Sequence, residues 1–377
     1  MSAQQKKARK ANVSLNISTT KDTIKTSHFN IGLLTNLHQL KGAGINLISS
    51  TIHSNVEGVQ LSGISNITGK DMKGVQLSGI TNINARNTVG TNISGLVNIC
   101  GNDTKGASFC GGINIVGNES KGLSSAGLMN IAGKNTKGVQ LSGIANIAGE
   151  NTYGLALSGL LNVSGKDLNG MQTTALLNIC GNKMKGLQLA ALCNVGVNVK
   201  GVQAGITNIC VGELKGVQLG IVNYSTDTTT IKIGLINVSP KTRVQMLLYG
   251  GNNTKLNLGV RFQNKMTYTI LGVGTHYFDF KDKFSGSVFY RAGLYYPILS
   301  NLQISGDLGY AHIESFNNKS NNIPARLYSL QARVNLEYQP LKRLGIFVSG
   351  GYAIDRYYNR NQTFKDKPII EIGFSLF

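Results

Sequence analysis

A repeat of sixteen residues is the feature that most constrains this chain. The segment "GVQLSGISNITGKDMK" runs from Gly58 to Lys73, and "GVQLSGITNI" begins again at Gly74. Further repeats begin every 16 residues as far as Gly186, and then every 15 residues at Gly201 and Gly216. A short and regular period of this kind is typical of solenoids, in which each repeat is one coil stacked on the next.

The pattern inside each repeat predicts β-strands. When the repeat Gly is position 0, positions 1 and 3 are usually aliphatic, as in Val59 and Leu61. This alternation predicts a strand with one buried face, so we expect the aliphatic side chains of stacked coils to form a continuous narrow core. The Gly residues at positions 0, 5 and 11 disfavour a helix, because each would cost about 1 kcal/mol in a helix interior.

Position 8 of the repeat is always Asn. Coils stacked at the strand spacing of about 4.8 Å would let each amide bond to the copies above and below it. We therefore predict a structural ladder of hydrogen bonds, which we favour over a ligand site. The predicted ladder consists of Asn66, Asn82, Asn98, Asn114, Asn130, Asn146, Asn162, Asn178, Asn194 and Asn208.

The residue before the repeat Gly is often Lys, and stacking would align these side chains along one edge. Two interpretations stay open for this edge. It is either a charged border that prevents aggregation or a binding stripe for an anionic polymer, which the formal net charge of +20 would favour. The stripe consists of Lys73, Lys105, Lys121, Lys137, Lys185, Lys200 and Lys215.

After Pro240 the repeat ends, and segments that alternate between apolar and polar residues predict a second β domain. Such segments, with tyrosines near their ends, are typical of outer-membrane barrels. We predict eight antiparallel strands near residues 242–251, 254–264, 266–279, 284–297, 301–314, 325–340, 343–357 and 367–377. The third segment is apolar on both faces, which makes it the least regular of the eight.

The polar faces of these segments carry charges of both signs, which could pair inside a narrow lumen. An eight-stranded barrel is only wide enough for side chains to fill, so we expect no pore. The predicted lumen charges are Arg261, Arg291, Asp307, Arg333, Glu337 and Asp355.

Loop lengths predict the side on which the solenoid lies. Short connections alternate with longer ones, and short turns in such barrels are periplasmic. An even number of strands begins and ends on the same side, so the solenoid is predicted to be periplasmic. We expect external protease to cut the long loop "NNKSNN" near Asn317 and to spare the coils.

The predicted organisation is an all-β chain with an N-terminal arm and cap at residues 1–27, a β-solenoid at 28–240 and an eight-stranded barrel at 241–377. The sequence contains no run of eighteen apolar residues, so it does not predict a membrane helix. The N-terminus has no signal-peptide pattern as printed, and we hypothesise that the chain is a mature or truncated form. The five Cys residues lack C-x-x-C spacing, which predicts buried small side chains without disulfides or a metal.

The tandem "GVQLSGIxNI" units, followed by a tyrosine-rich β tail, resemble the surface-repeat proteins of Bacteroidetes and spirochaetes. The resemblance covers residues 28–240 closely and the tail loosely. It implies a location in the cell envelope and supplies no catalytic residue.

The function expected from these features is that of a non-enzymatic outer-membrane protein without a cofactor. Its expected partners are outer-membrane lipid and an anionic glycan, lipopolysaccharide or another envelope protein. Two alternatives stay open: a β-solenoid enzyme that acts on polysaccharides, which would need clustered carboxylates, and a soluble adhesin with a solenoid and a β-sandwich. Nucleic-acid binding is not expected, because the coils have almost no aromatic residues for base stacking.

Overall fold

The computed structural model describes residues 9–16, 25–227, 231–264, 266–279, 283–318, 324–358 and 362–377. β-strands are the regular secondary structure of these ranges, and no helix occurs in them, which confirms the all-β prediction. None of the described residues forms a helix that is long and apolar enough to cross a membrane. The chain divides into two compact units, residues 1–216 and 217–377.

The first 25 strands belong to one parallel sheet that winds as a β-solenoid of about 13 turns, as predicted. Its strands are β1 (Arg9–Asn16), β2 (Lys25–Leu37), β3 (Gln39–Ile52), β4 (Val56–Ser62), β5 (Ser65–Thr68), β6 (Met72–Ser78), β7 (Thr81–Asn84), β8 (Thr88–Ser94), β9 (Val97–Cys100), β10 (Thr104–Cys110), β11 (Ile113–Val116), β12 (Ser120–Ala126), β13 (Met129–Ala132), β14 (Thr136–Ser142), β15 (Ala145–Ala148), β16 (Thr152–Ser158), β17 (Leu161–Ser164), β18 (Leu168–Thr174), β19 (Leu177–Ala190), β20 (Cys193–Ala204), β21 (Thr207–Cys210), β22 (Leu214–Leu219), β23 (Val222–Ser225), β24 (Ile231–Ile233) and β25 (Ile236–Val238).

A regular coil contains one strand of seven residues and one of four. The longer strand carries the repeat Gly and the shorter one carries the Asn of position 8. Successive coils pair in parallel and in register, so that Gly58 lies beside Gly74 and Asn66 beside Asn82. This register stacks every repeat position into a column.

The faces of the strands are the reverse of those predicted. Gln60 at position 2 is completely buried, whereas the neighbouring Val59 at position 1 is 37% exposed. The expected aliphatic core at positions 1 and 3 is therefore wrong. Alternation alone does not show which of the two faces of a strand is buried. The amide side chains occupy the interior because they can form hydrogen bonds with equivalent side chains in neighbouring coils.

The interior of the solenoid combines amide columns with small or apolar side chains. Towards each end, buried aliphatic and Cys residues fill the corner formed by positions 10 and 14, as Leu168, Cys180 and Met184 do. In the central coils, smaller residues such as Thr136 and Ala148 take these positions. The interior is thus narrow and mostly polar, with apolar packing confined to one corner.

The repeat Gly adopts a conformation that other residues rarely take. Gly138 has a φ of 122°, and a Cβ atom there would lie 2.2 Å from the backbone oxygen of Gly122. The same left-handed φ recurs at the repeat Gly in coils from Gly42 to Gly201. Position 0 therefore requires Gly for both backbone conformation and close stacking.

The remaining strands form an antiparallel sheet that closes on itself as an eight-stranded barrel, which confirms the predicted barrel. They are β26 (Arg243–Gly251), β27 (Leu256–Gln263), β28 (Thr267–Thr275), the two-residue β29 (Phe278–Asp279), β30 (Lys283–Leu299), β31 (Leu302–Asn318), β32 (Arg326–Leu341), β33 (Leu344–Tyr357) and β34 (Thr363–Leu376). The barrel closes where β26 pairs with β34 and β28 with β30.

The barrel is apolar outside and holds charged and aromatic side chains inside. In β32, Leu330, Val334 and Leu336 are exposed on the outer wall, and the alternate polar residues, such as Arg333, are buried. Tyr249 and Phe289 belong to an inner apolar cluster at the centre of the barrel. This arrangement matches the alternation predicted for β32.

The boundaries differ in detail from the predicted ones. The solenoid sheet already includes β1, which pairs with β2 inside the predicted N-terminal arm and cap. Residues 1–8 and 17–24 lie outside the described ranges. The sheet changes from solenoid to barrel between Val238 and Arg243, but the strands after Gly216 form one compact unit with the barrel.

Candidate functional site

The Asn side chains of position 8 form a continuous series of hydrogen bonds inside the first unit. From Asn66 to Asn208, each Nδ2 donates to the Oδ1 of the next Asn at 2.9–3.0 Å. Asn130 also donates to the backbone oxygen of Leu141 at 2.7 Å. These contacts give the column a structural role and leave the amides buried.

A second amide column at position 2 was not recognised in the sequence. Gln76 donates to Gln60 at 3.0 Å, and Gln188 donates to Gln172 at the same distance. The signal was present, because Gln recurs between the two aliphatic positions in most coils, with Asn92, Ser108, Ser124 and Ala156 as the exceptions. Hydropathy alone assigns these positions to the surface, because it places their aliphatic neighbours inside.

We expect Asn130→Ala to lower the free energy of unfolding by about 1–3 kcal/mol, because it leaves buried amide and carbonyl groups without partners. Thermal or urea unfolding of the full chain measures this change. Asn169→Ala is the matched control, since Asn169 is exposed at position 15 of its coil, and should cost under about 0.5 kcal/mol.

Equal effects at Asn130 and Asn169 would contradict the structural role of the ladder. Asn135 is a poorer control. It is only partly exposed, and its Oδ1 accepts a hydrogen bond from Asn151 at 2.8 Å. It belongs to an outer row of Asn and Asp residues at position 13, which the sequence analysis did not identify.

The Lys residues before the repeat Gly are all exposed and lie along one edge of the coils. Lys105, Lys121 and Lys137 are direct neighbours in register. Other residues at this position, among them Glu57 and Val89, interrupt the row. The predicted stripe therefore consists of short runs of Lys side chains, separated by other residues.

Glu119 neutralises part of the stripe. Its carboxylate contacts Lys121 at 2.6 Å and Lys137 at 2.7 Å. The hydrogen bond from Lys121, followed by that from Lys137, lowers the pKa of the Glu119 carboxyl below its ordinary value. Lys215 likewise contacts Glu213 at 2.7 Å. Within the described ranges, no carboxylate lies in ion-pair distance of the other four, Lys73, Lys105, Lys185 and Lys200.

The predicted lumen charges are all buried inside the barrel and take part in ion pairs. Arg261 contacts Glu337 at 2.7 Å, and Arg291 contacts Asp307 at 2.6 Å. The first pair connects β27 with β32 across the lumen, and the second connects the neighbouring strands β30 and β31. The volume at the centre is filled, in agreement with the expectation of a closed lumen.

Two lumen residues escaped the sequence analysis. Glu371 pairs with Arg333 at 2.9 Å, and Lys367 lies 3.8 Å from Asp355. Because Ile370 and Ile372 face outwards, the alternation of β34 already placed Glu371 on the inner face. The sequence therefore contains the signal for Glu371, which is a charged residue on the inner face of a strand with aliphatic neighbours.

The last coil lies against the outer wall of the barrel within the second unit. Thr269 and Tyr290 alternate with inward-facing neighbours, so both face outwards. Thr269 donates to the backbone oxygen of Leu235 at 3.1 Å, and Tyr290 donates to that of Gly234 at 2.9 Å. This cover explains why β28 lacks a regular alternation of apolar and polar faces.

The metal-binding side chains and thiols of the described residues do not converge on one site. The described residues contain no cluster of three or more His, Cys, Asp or Glu side chains that could hold a metal ion. All five Cys residues are free thiols, and Cys100, Cys180 and Cys210 are buried. No protein-family model matches the chain, and no curated protein is similar to it.

Proposed function

We propose that this protein is a non-enzymatic component of the outer membrane, in which the barrel is the anchor and the solenoid is an interaction rod. The observation that carries the proposal is the distribution of side chains in the barrel. Ion pairs and aromatic rings fill the interior, and aliphatic residues such as Val334 and Ile372 cover the outer wall. A soluble protein would lose stability and solubility with this distribution, whereas a membrane barrel requires it.

The closed lumen favours an anchor over a channel. Leu247, Tyr249 and Phe347 pack at the centre, and the Arg–carboxylate pairs occupy the space around them. A channel for solutes would need a wider barrel. The exposed Lys residues of the coils support a role in contacting anionic partners of the envelope, such as a glycan, lipopolysaccharide or an acidic protein.

The solenoid is proposed to lie on the periplasmic side. Ser239 and Thr242, at the connection between the two folds, contact Asn264 at the short turn between β27 and β28. Phe377 bonds to Arg343 at another short turn. The start and end of the barrel therefore share the end that carries the short connections, which in such barrels faces the periplasm. The resemblance to surface-repeat proteins agrees with an envelope location, but the family name suggests an outward rod and so disagrees with the periplasmic side proposed here.

Protease added to intact cells should leave the coils uncut and should cut them after the outer membrane is permeabilised. The predicted external target near Asn317 includes residues 319–323, which lie outside the described ranges. Antibodies to a coil segment and to a known periplasmic protein would report the digestion. Digestion of the coils while the periplasmic control stays intact would contradict the proposed sidedness.

A further inference from the structure

The outer surface of the solenoid is aliphatic over many consecutive coils. Position 6 lies at the turn between the two strands, and most of its residues are large, aliphatic and exposed. Leu96 is 55% exposed and Leu160 is 45% exposed. The column consists of Ile64, Ile80, Leu96, Leu128, Ile144, Leu160, Leu176 and Leu192. We call this column, together with the outward residues of positions 1, 3 and 9 beside it, the outer aliphatic face.

The area of this face exceeds what isolated surface residues would give. From Ile64 to Leu192 the column covers nine coils, eight with an aliphatic residue and one with Gly112, and their strand spacing of about 4.8 Å makes it roughly 40 Å long. Monomeric soluble proteins rarely expose contiguous apolar patches larger than a few hundred Å². The face therefore points to an apolar partner.

The backbone of this face does not depend on water. Even in the turns, many backbone amides bond to the coil before them. Ile144 donates to Leu128 at 2.9 Å, and Leu160 donates to Ile144 at 3.0 Å. The Asn side chains of position 8 face inwards and bond to one another. A surface with satisfied backbone groups and outward aliphatic side chains meets the main requirement for contact with acyl chains.

Charge identifies the kind of apolar partner. The Lys edge borders the outer aliphatic face, because Lys137 at position 15 precedes the repeat Gly and Val139 at position 1 follows it. Apolar residues flanked by Lys are typical of surfaces that lie in the interface of an anionic bilayer. A second protein copy would bring the same Lys edge against itself, and the like charges would repel.

The second unit contains a contact at the same repeat position. Leu235 corresponds to position 6 of the last coil, and its backbone oxygen bonds to Thr269 on the outer wall of the barrel. That wall also carries exposed aliphatic residues such as Val273 and Val288. The last coil therefore lies at the level of the surface that a membrane barrel presents to lipid.

We propose that the outer aliphatic face lies in the acyl region of an anionic lipid leaflet, with the Lys edge at the headgroups. This inference rests on the proposed membrane location and extends it, since it gives the solenoid a lipid contact of its own. The solenoid then binds along the membrane surface as an amphipathic structure and does not project as a free rod.

The test uses the absence of Trp from the chain, because one introduced Trp then reports one site. Full-length Leu160→Trp is reconstituted into vesicles of phosphatidylcholine and phosphatidylglycerol with brominated acyl chains. We expect it to lose most of its fluorescence and its emission to shift to the blue. Asn169→Trp, at the polar edge of the same coil, should remain almost unquenched, and Leu96→Trp should repeat the Leu160→Trp result.

Val334→Trp, on the outer wall of β32, separates this inference from the proposed function. Quenching at Val334 without quenching at Leu160 and Leu96 would overturn the lipid contact and leave the barrel in the membrane. Quenching at neither position would overturn both proposals. Blue-shifted emission at Leu160 that depends on protein concentration, without quenching by brominated lipid, would assign the face to a second copy and overturn the inference.

Discussion

Replacing Asp307 with Ala should destabilise the barrel by about 3–5 kcal/mol, because it leaves the charge of Arg291 buried without its partner. Arg291 makes two hydrogen bonds to Asp307, at 2.8 and 2.6 Å. Tyr268 and Asn335 also donate to this carboxylate, at 2.7 and 2.9 Å, so the variant breaks four contacts at once. Urea unfolding of the detergent-solubilised full chain measures the loss.

The matched control is an exposed pair in the same domain. Glu314 contacts Arg326 at 3.0 Å, but both side chains are largely in solvent. Glu314→Ala should therefore cost under about 1 kcal/mol. The double variant Arg291→Met with Asp307→Leu should recover much of the stability, because it removes both charges and fills the space. Similar losses for Asp307→Ala and Glu314→Ala would contradict a dry, charge-paired lumen.

The second large effect is expected at the repeat Gly of a central coil. Gly138→Ala should cost at least about 2 kcal/mol, because a non-Gly residue with a left-handed φ is strained. The added Cβ would also meet the backbone oxygen of Gly122 at 2.2 Å. Relieving this contact requires movement of two coils, which adds to the loss. Thermal unfolding of the full chain measures it.

Gly143→Ala is the control for this prediction. Gly143 occupies position 5, and the equivalent residues in two later coils are Ala175 and Ala191. A Cβ at Gly143 would also lie close to a backbone oxygen, 2.1 Å from that of Gly127. Position 5 has no left-handed φ, however, and the coils accept a Cβ there, since Ala175 still bonds to Gly159 of the previous coil at 3.1 Å. Gly143→Ala should therefore cost much less than Gly138→Ala. A larger loss at Gly143 would contradict the distinction between the two positions.

The solenoid could be predicted from repetition, but its inside and outside could not be predicted from hydropathy. The Gly and Asn columns recur at one spacing, and parallel stacking in register is the arrangement that lets each Asn meet its copy. Alternation is unchanged when the two faces are exchanged, so Val59 and Gln60 alone do not define the interior. The recurrence of Gln does identify the interior, because a buried amide needs a hydrogen-bond partner and a recurring Gln finds one in the neighbouring coil.

The barrel could be predicted in more detail, because its strands show the alternation that is typical of outer-membrane barrels. The predicted strand order, number and inner face of β32 agree with the structure. The exception was β28, where Thr269 faces outwards and is nevertheless buried. Its cover comes from Leu235 in a distant part of the sequence, and no local pattern in β28 could reveal that contact.

The most direct test of the central claim is the location of the native protein after cell fractionation. We expect the full-length protein in the outer-membrane fraction, resistant to extraction with alkaline carbonate and released by detergent. It should also migrate faster in detergent gels before heating than after heating, because folded barrels of this class remain compact in detergent. A protein recovered from the soluble fraction as a monomer, without detergent and without heat-dependent migration, would contradict the account.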